Sequence, residues 1–497
     1  MATIDELKKT RLKKLEEINK SGFLAYPGKT KRDHTVFQAL KDFPRLSRLK
    51  IEIILAGRIR SLRKHGKATF LNIEDGSGQM QALFREDRMG EKSYQIFSDI
   101  FDVGDIIEIR GILFSTKTKE KTIEASDFKI LSKSLLPLPE KWHGIQDVEE
   151  RYRKRYLDLI FNPEVKKRFE LRSKIVSEIR SFLDNQGFLE VETPILQPIY
   201  GGAKAKPFNT HLNALDMDMY LRIAPELYLK RLIIGGFEKV YEIGRCFRNE
   251  GVDRSHNPEF TAIEFYWAYA DYKDSMKLIE KLFATVVKKV FGKLEIEYEG
   301  KKINFKPPWP RVDFTQLLKK YSKIDYDDEN IDTLRRKAEE FGVEIDEKAG
   351  KIEIADEVYK KLCLPNLWQP TFLINHPVGA FPLAKAVDEN PSRLANFQVM
   401  AGTWELANAF SELNDPIEQR KRFEEQEKSF KEGAEEAQRM DTDYIEALEY
   451  GMPPAAGFGM GIDRLAALLS NAHSLREIIL FPTMRIRKEK ENENQGS

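Results

Sequence analysis

The sequence predicts an α+β protein in two parts, a small all-β barrel near the front and a larger body of helices and short strands behind it. Three observations carry this. Between about residues 51 and 132 the apolar residues recur every second position, with turn signals between the runs. Beyond about residue 160, long helical stretches alternate with short strand-like ones. Charge divides along the same line: residues 1–67 hold 18 Lys and Arg against 7 Asp and Glu, and the remainder holds 63 against 73. A basic front on an acidic body points to a polyanion-binding module joined to something else.

The 497 residues allow two to four domains and a core that needs no staples. Cys246 and Cys363 are the only cysteines, too few for a disulfide scaffold or a Cys-rich zinc site. The opening MATIDELKKTRLKKLEEINK lacks the apolar stretch of a secretory leader. No uncharged run approaches the roughly 18 residues of a membrane span. These features predict a chain of the cytoplasm with no membrane partner.

Residues 1–50 read as a basic, helical extension. The first 20 form a helix with only a thin apolar stripe (Ile4, Leu7, Leu12, Leu15, Ile18), which predicts weak docking or contact with RNA. Residues 51–133 contain IEIILAGRIR, KATFLNIEDGSGQMQALF, GDIIEIRGILF and KTIEASDFKIL. Asp75-Gly76 and Ser77-Gly78 mark a hairpin. Four or five short strands in about 80 residues suit a closed barrel, of which the OB-fold is the commonest that binds oligonucleotides. Strand content leaves an SH3-like barrel open.

Residues 134–160 contain prolines and read as a linker. A helix over 163–186 stops at Gly187, and FLEVETPIL is a strand closed by Pro194. EKVYEIGRCF and EFTAIEFYWAYA are strands around a polar loop, and 416–450 is charged and helical. Residues 300–365 are a variable insertion, and 486–497 a disordered tail.

Four segments carry chemistry. In Arg248-Asn249-Glu250 and His256-Asn257-Pro258-Glu259-Phe260, the arginine fork can grip two phosphate oxygens. Phe260 offers a face for a base to stack on. Glu250 can accept from an exocyclic amine. Gly457-Phe458-Gly459-Met460-Gly461 lets a ligand approach backbone closely, with Arg464 at a strand-to-helix junction that favours anions. Asn408, Phe410 and Glu412 share a face of an extended strand, a pattern suited to a cationic ligand. The strand ending at Pro194, followed by Gly201-Gly202, says little alone. Taken singly, the others are also explained by a surface ion pair, close strand packing and an amphipathic strand.

Together these segments resemble, in order and spacing, the three signature motifs of class II aminoacyl-tRNA synthetases. YGGAKAKPF, YLRIAPELYLKRL, NAFSELNDP and ALEYGMPPAAGFGMGIDRL narrow the resemblance to the lysine-specific branch. The resemblance implies an OB-fold before a catalytic domain, over 161–485, built on a mixed, mainly antiparallel sheet flanked by helices. It implies activation of L-lysine with ATP to lysyl-adenylate and pyrophosphate, then transfer to the 3′ end of tRNA(Lys). It implies Mg²⁺ as cofactor and a homodimer.

The same resemblance places Arg248 and Arg464 in catalysis. Asn249, Glu250, His256, Asn257, Phe260, Glu405, Leu406 and Gly461 join them around ATP. Gly202, Glu226, Glu264, Tyr266, Asn408, Phe410 and Glu412, with Arg248, hold lysine. Carboxylates fit an ε-ammonium, where an aspartate-specific site would need Arg or Lys. Glu405 is the metal-ligating acid, and Gln398 stands where many relatives carry a second one. Ser255 stands where some carry Arg. Arg63, Phe70, Gln81 and Glu120 match positions that contact anticodon bases. Two other readings compete, an amino-acid ligase without tRNA and a silent RNA-binding protein. The barrel argues against the first, and the intact Arg248, Glu250, Phe260, Glu405 and Arg464 against the second.

Overall fold

A computed structural model describes residues 3–139, 147–347, 349–431 and 439–487. The expected tail beyond 487 lies outside them. The chain divides into two compact units, Met1–Gly144 and Ile145–Ser497.

In the first unit five strands close a barrel in the order β1-β2-β3-β5-β4: β1 (Glu52–His65), β2 (Ala68–Asp75), β3 (Gly78–Arg85), β4 (Ile106–Ser115) and β5 (Lys121–Ser132). The period-two residues Ile53, Leu55, Leu71, Ile73, Ile107 and Ile109 fill the interior, as alternation requires. β3 and β5 pair in parallel, and helix Glu91–Ile100 lies between β3 and β4 in the chain. Phe97 of that helix stacks on Phe84, with ring centroids 3.9 Å apart. Gly111 sits where the β4–β5 register shifts, and a Cβ there would overlap the Glu124 carbonyl.

The described residues before the barrel, 3–50, are bound into this core. Ile18, Val36, Phe43 and Leu46 join the barrel's own cluster. Arg11, on the helix read as weakly docked or RNA-facing, is buried. Its guanidinium donates to the carbonyls of Val103, Ser134 and Leu136 at 2.8–3.1 Å. Docking is therefore firmer than the thin stripe predicts, because a buried arginine satisfies three carbonyls that would otherwise lack donors.

The second unit is built on an eight-stranded sheet. Its strands are β6 (Leu189–Glu190), β7 (Lys239–Phe247), β8 (Glu259–Ala268), β9 (Arg311–Asp313), β10 (Thr371–Ile374), β11 (Asn396–Ala401), β12 (Trp404–Ser411) and β13 (Ala455–Gly461). The order is β9-β10-β11-β12-β13-β8-β7-β6. The five inner pairings are antiparallel, and the two edge pairings are parallel. The mixed, mainly antiparallel sheet is as expected. Helix Tyr272–Phe291 covers one face through Leu282, Phe283 and Val286, packed with Phe265 and Phe458.

Two stretches differ from the sequence reading. Part of 134–160, read as linker, is helical (Val148–Arg153 and Arg155–Phe161). Arg155 is buried there, bound to Asp158 at 2.6 Å and to the carbonyls of Arg476 and Leu480 at 2.8 and 3.0 Å. Between β9 and β10, three helices (Phe314–Ser322, Ile331–Glu340, Lys351–Val358) enclose a core of their own around Leu318, Leu334, Ile354 and Val358. The insertion is thus a packed subdomain rooted in two sheet strands.

Candidate active site

The cavity of the second unit lies on the exposed face of β8, β12 and β13, and its volume is about 460 Å³. Register explains its lining. Glu264 pairs with Gly459, and Gly459 with Asn408; two residues along, Tyr266 pairs with Gly457, and Gly457 with Phe410. Side chains two apart on a strand share a face, so Phe260, Glu264 and Tyr266 all point into the cavity. The glycines of β13 form its floor. A Cβ on Gly457 would overlap Glu412 Oε1 and come within 2.7 Å of Tyr266.

One end is cationic. The Arg248 guanidinium lies 5.1 Å from the Phe260 ring, and its Nε is buried with no partner. Arg464 Nη1 donates to the Glu405 carbonyl at 2.9 Å, and its Nη2 is 3.5 Å from His256 Nε2. His256 Nδ1 faces Asp253 at 2.9 Å. Burial would raise Asp253, but hydrogen bonds from His256 and Ser255 bring it down to about 2. Asp463 is buried and accepts from Arg172 at 2.7 Å and from the Thr261 amide at 3.0 Å. That anchor fixes the first turn of helix Ile462–Leu469, and Arg464 with it.

The other end is acidic. Gly202 has φ +87°, and a Cβ there would come within 2.8 Å of Glu226. Tyr266 donates its hydroxyl to Glu264 at 3.2 Å. Burial, then the charge of Glu226, pushes Glu264 up to about 8. Burial pushes Tyr266 well above the ordinary phenol range, so it stays a neutral donor. The cavity thus joins an anion-binding end to a cation-binding end.

Most of the expected residues line it: Gly202, Glu226, Arg248, Glu250, His256, Asn257, Phe260, Glu264, Tyr266, Glu405, Leu406, Asn408, Phe410, Gly461 and Arg464. Three do not. Asn249 is not among the lining residues, and its backbone N–H donates to the Lys206 carbonyl at 2.7 Å. Glu412 lies just past the end of β12, fully buried, with Lys230 Nζ at 2.5 Å. Gln398 stands opposite Asn408 across β11 and β12, near buried His376, which burial pushes down to about 4. Among the described residues no group of three or more His, Cys, Asp and Glu is arranged for a metal ion. One cavity carboxylate, Glu405, fits an ion carried largely by a nucleotide's phosphates, as Mg²⁺ usually is.

The chain matches the family described as tRNA synthetases class II (D, K and N) over residues 147–485. Residues 53–131 match an OB-fold nucleic acid binding domain. The lysine--tRNA ligase of Pelotomaculum thermopropionicum is 51% identical over 488 residues, 98% of this chain and 96% of that one. That of Carboxydothermus hydrogenoformans is 52% identical over 485 residues, 97% and 99% of the two chains. That of Thermotoga maritima is 46% identical over 494, 99% and 98%. The chain belongs to the class II tRNA synthetases, in their lysine branch. Its reaction is the ligation of lysine to tRNA.

The barrel of this synthetase carries a second concavity. Arg63, Phe70 and Gln81 line it with His65, Asn72 and residues 116–118. Arg63 stands opposite Phe70 across β1 and β2, and Gln81 accepts from Thr122 at 2.9 Å. Glu120 stands off the groove, exposed at a turn where its amide donates to Thr116 Oγ1 at 3.0 Å.

Sequence reasoning missed Arg172, Lys230 and Arg254. Arg254 points away from the cavity, binding Glu299 at 2.6 Å and Tyr298 at 3.0 Å. Only Lys230 had a readable signal, its position four residues after Glu226 on one helix face.

Proposed function

We propose that this cavity holds ATP and lysine end to end and forms lysyl-adenylate. Adenine stacks on Phe260, with Glu250 accepting from its amine. Arg248 takes the α-phosphate and the lysine carboxylate, while His256 and Arg464 face the outer phosphates. The lysine ammonium enters between Glu226, Glu264 and Tyr266. A carboxylate is already a nucleophile at neutral pH, so no general base is required. Its oxygen bonds to the α-phosphorus as the bond to pyrophosphate breaks, and Arg248 stabilises the charge that gathers there. Bound Mg²⁺ would neutralise phosphate charge, with Glu405 as its protein ligand. The lysyl group then passes to the tRNA 3′ end, releasing AMP. Arg63, Phe70 and Gln81 take anticodon bases by stacking and edge hydrogen bonds, and Glu120 adds a contact at the rim.

The observation that supports this reading most is the polarity of one cavity, with unpartnered Arg248 Nε at one end and Glu226 and Glu264 at the other. Exposed Leu189, Ile195 and Leu196 beside the first signature motif support a homodimer. No helix among the described residues is long and apolar enough to cross a membrane. The two cysteines are unpaired and buried, in keeping with work in the cytoplasm. The test is amino-acid-dependent ATP–pyrophosphate exchange with each of the twenty amino acids, without tRNA. Exchange with lysine alone is expected. Exchange with a neutral or acidic amino acid would overturn the assignment of the acidic end.

A further inference from the structure

A pocket for a cation here contains a cation of its own. Helix Glu226–Ile234 places Glu226 and Lys230 one turn apart on its buried face. The Lys230 side chain is fully buried. Its Nζ lies 2.6 Å from Glu226 Oε1 and 2.5 Å from Glu412 Oε2. It also sits 6.0 and 5.6 Å from the ring centroids of Tyr266 and Phe410, both of which line the cavity. From β8, Glu264 and Tyr266 face this cluster, and from helix Thr442–Glu449, Tyr444 does. Glu412 Oε1 is buried with no hydrogen-bond partner.

Charge arithmetic gives Lys230 a purpose. Three buried carboxyls this close cannot all ionise alone, because burial and mutual repulsion both favour the neutral form. Burial works against the Lys230 ammonium too, but Glu226 and Glu412 outweigh it and its pKa is raised. Burial outweighs Lys230 at both acids, so Glu226 stays above and Glu412 well above the ordinary carboxylate range, while Lys230 lowers each of them. With Glu264 protonated, Glu226 and Glu412 once ionised would face one ammonium and leave a single surplus negative charge. One substrate ammonium cancels it.

We propose that Lys230 is a specificity-determining, positioning residue: a resident counter-ion that favours ionisation of Glu226 and Glu412, so that the pocket accepts one further ammonium and no neutral isostere. Lys230 acts through the two carboxylates and does not touch substrate. The inference rests on the assignment of this pocket to lysine. Wild-type exchange with lysine tests that assignment separately, before any variant is made.

The experiment uses the full chain in ATP–pyrophosphate exchange between pH 6 and 9. For Lys230→Met, the lysine KM is expected to rise about 100-fold at pH 7, with the ATP KM within about threefold of wild type. Without the counter-ion the carboxylates share a proton, so the defect shrinks as pH rises toward 9. Lys230→Arg keeps the charge and is expected within about tenfold of wild type. The double variant Lys230→Met with Glu412→Gln leaves one carboxylate and no ammonium. It restores the single surplus charge and is expected to bind lysine at least about tenfold more tightly than Lys230→Met. Where Lys230→Met does not fold, the double variant's lysine KM within about tenfold of wild type supports the proposal. An unchanged lysine KM in Lys230→Met overturns the proposal. So does a parallel rise in both KM values with no pH dependence, and so does a double variant no better than the single one.

Discussion

In the barrel groove, Arg63 stands in solvent and Phe70 and Gln81 are half-buried, whereas Glu226, at the acidic end of the second unit's cavity, and Lys230 and Glu412 beside it are buried. On the function proposed above, both regions recognise charged or polar partners, but they meet different demands. A groove that takes single-stranded bases works by stacking and by edge contacts, each modest and replaceable. A cavity that must separate one amino acid from nineteen cannot work with screened surface charges, which are each worth little. It works with buried charges whose sum is fixed before the ligand arrives. The contrast teaches that affinity is spread thin in one region and concentrated in the other.

The largest expected effect falls on the concentrated side. Arg248→Ala removes the donor aimed at the reacting phosphate, and lysine-dependent exchange is expected to drop at least about 1,000-fold. Filter binding of tRNA is expected to stay within about threefold, because the groove residues are untouched. Loss of both together would break the comparison.

A middle effect falls on the barrel. Phe70→Ala deletes the stacking face, worth ~1–3 kcal/mol, and is expected to raise the tRNA KM about 10- to 100-fold. Exchange without tRNA is expected to be unchanged. Arg63→Ala is expected to weaken binding less and to flatten its dependence on salt, as removal of one phosphate-facing cation does. Steady-state aminoacylation at two ionic strengths reads both.

How much of this was legible in the sequence depended on range. Period two fixed the barrel strands, because alternation is a local property that Ile53, Leu55, Leu71 and Ile73 each display. The cavity lining was legible where functional residues sit two apart on one strand, as Glu264 with Tyr266 and Asn408 with Phe410 do. It failed where contacts are long-range. Nothing near Arg172 announces Asp463, and nothing near Arg11 announces the carbonyls of Ser134 and Leu136. Strand spacing put Glu412 on the wall with Asn408 and Phe410; β12 ends at Ser411, and Glu412 is buried beneath that wall against Gly457.

The smallest expected effect concerns stability, and it sharpens the comparison most directly. Burial and the neighbouring Glu226 hold the Glu264 carboxyl at about 8, far above its unfolded value near 4.3. A raised carboxyl stabilises the folded protein fully below the unfolded value, and that contribution is lost as pH rises toward 8. Above pH 8 the cavity has to carry a charge it cannot solvate. Thermal melting of the ligand-free protein is therefore expected to fall between pH 6 and 8.5, and Glu264→Gln, which has no proton to lose, is expected to fall less, by about 2 °C or more. Phe70→Ala is expected to keep the wild-type slope, because the groove buries no such acid. Equal slopes for all three proteins would mean that the cavity does not store its charge in buried carboxyls, and the distinction between the two regions would collapse.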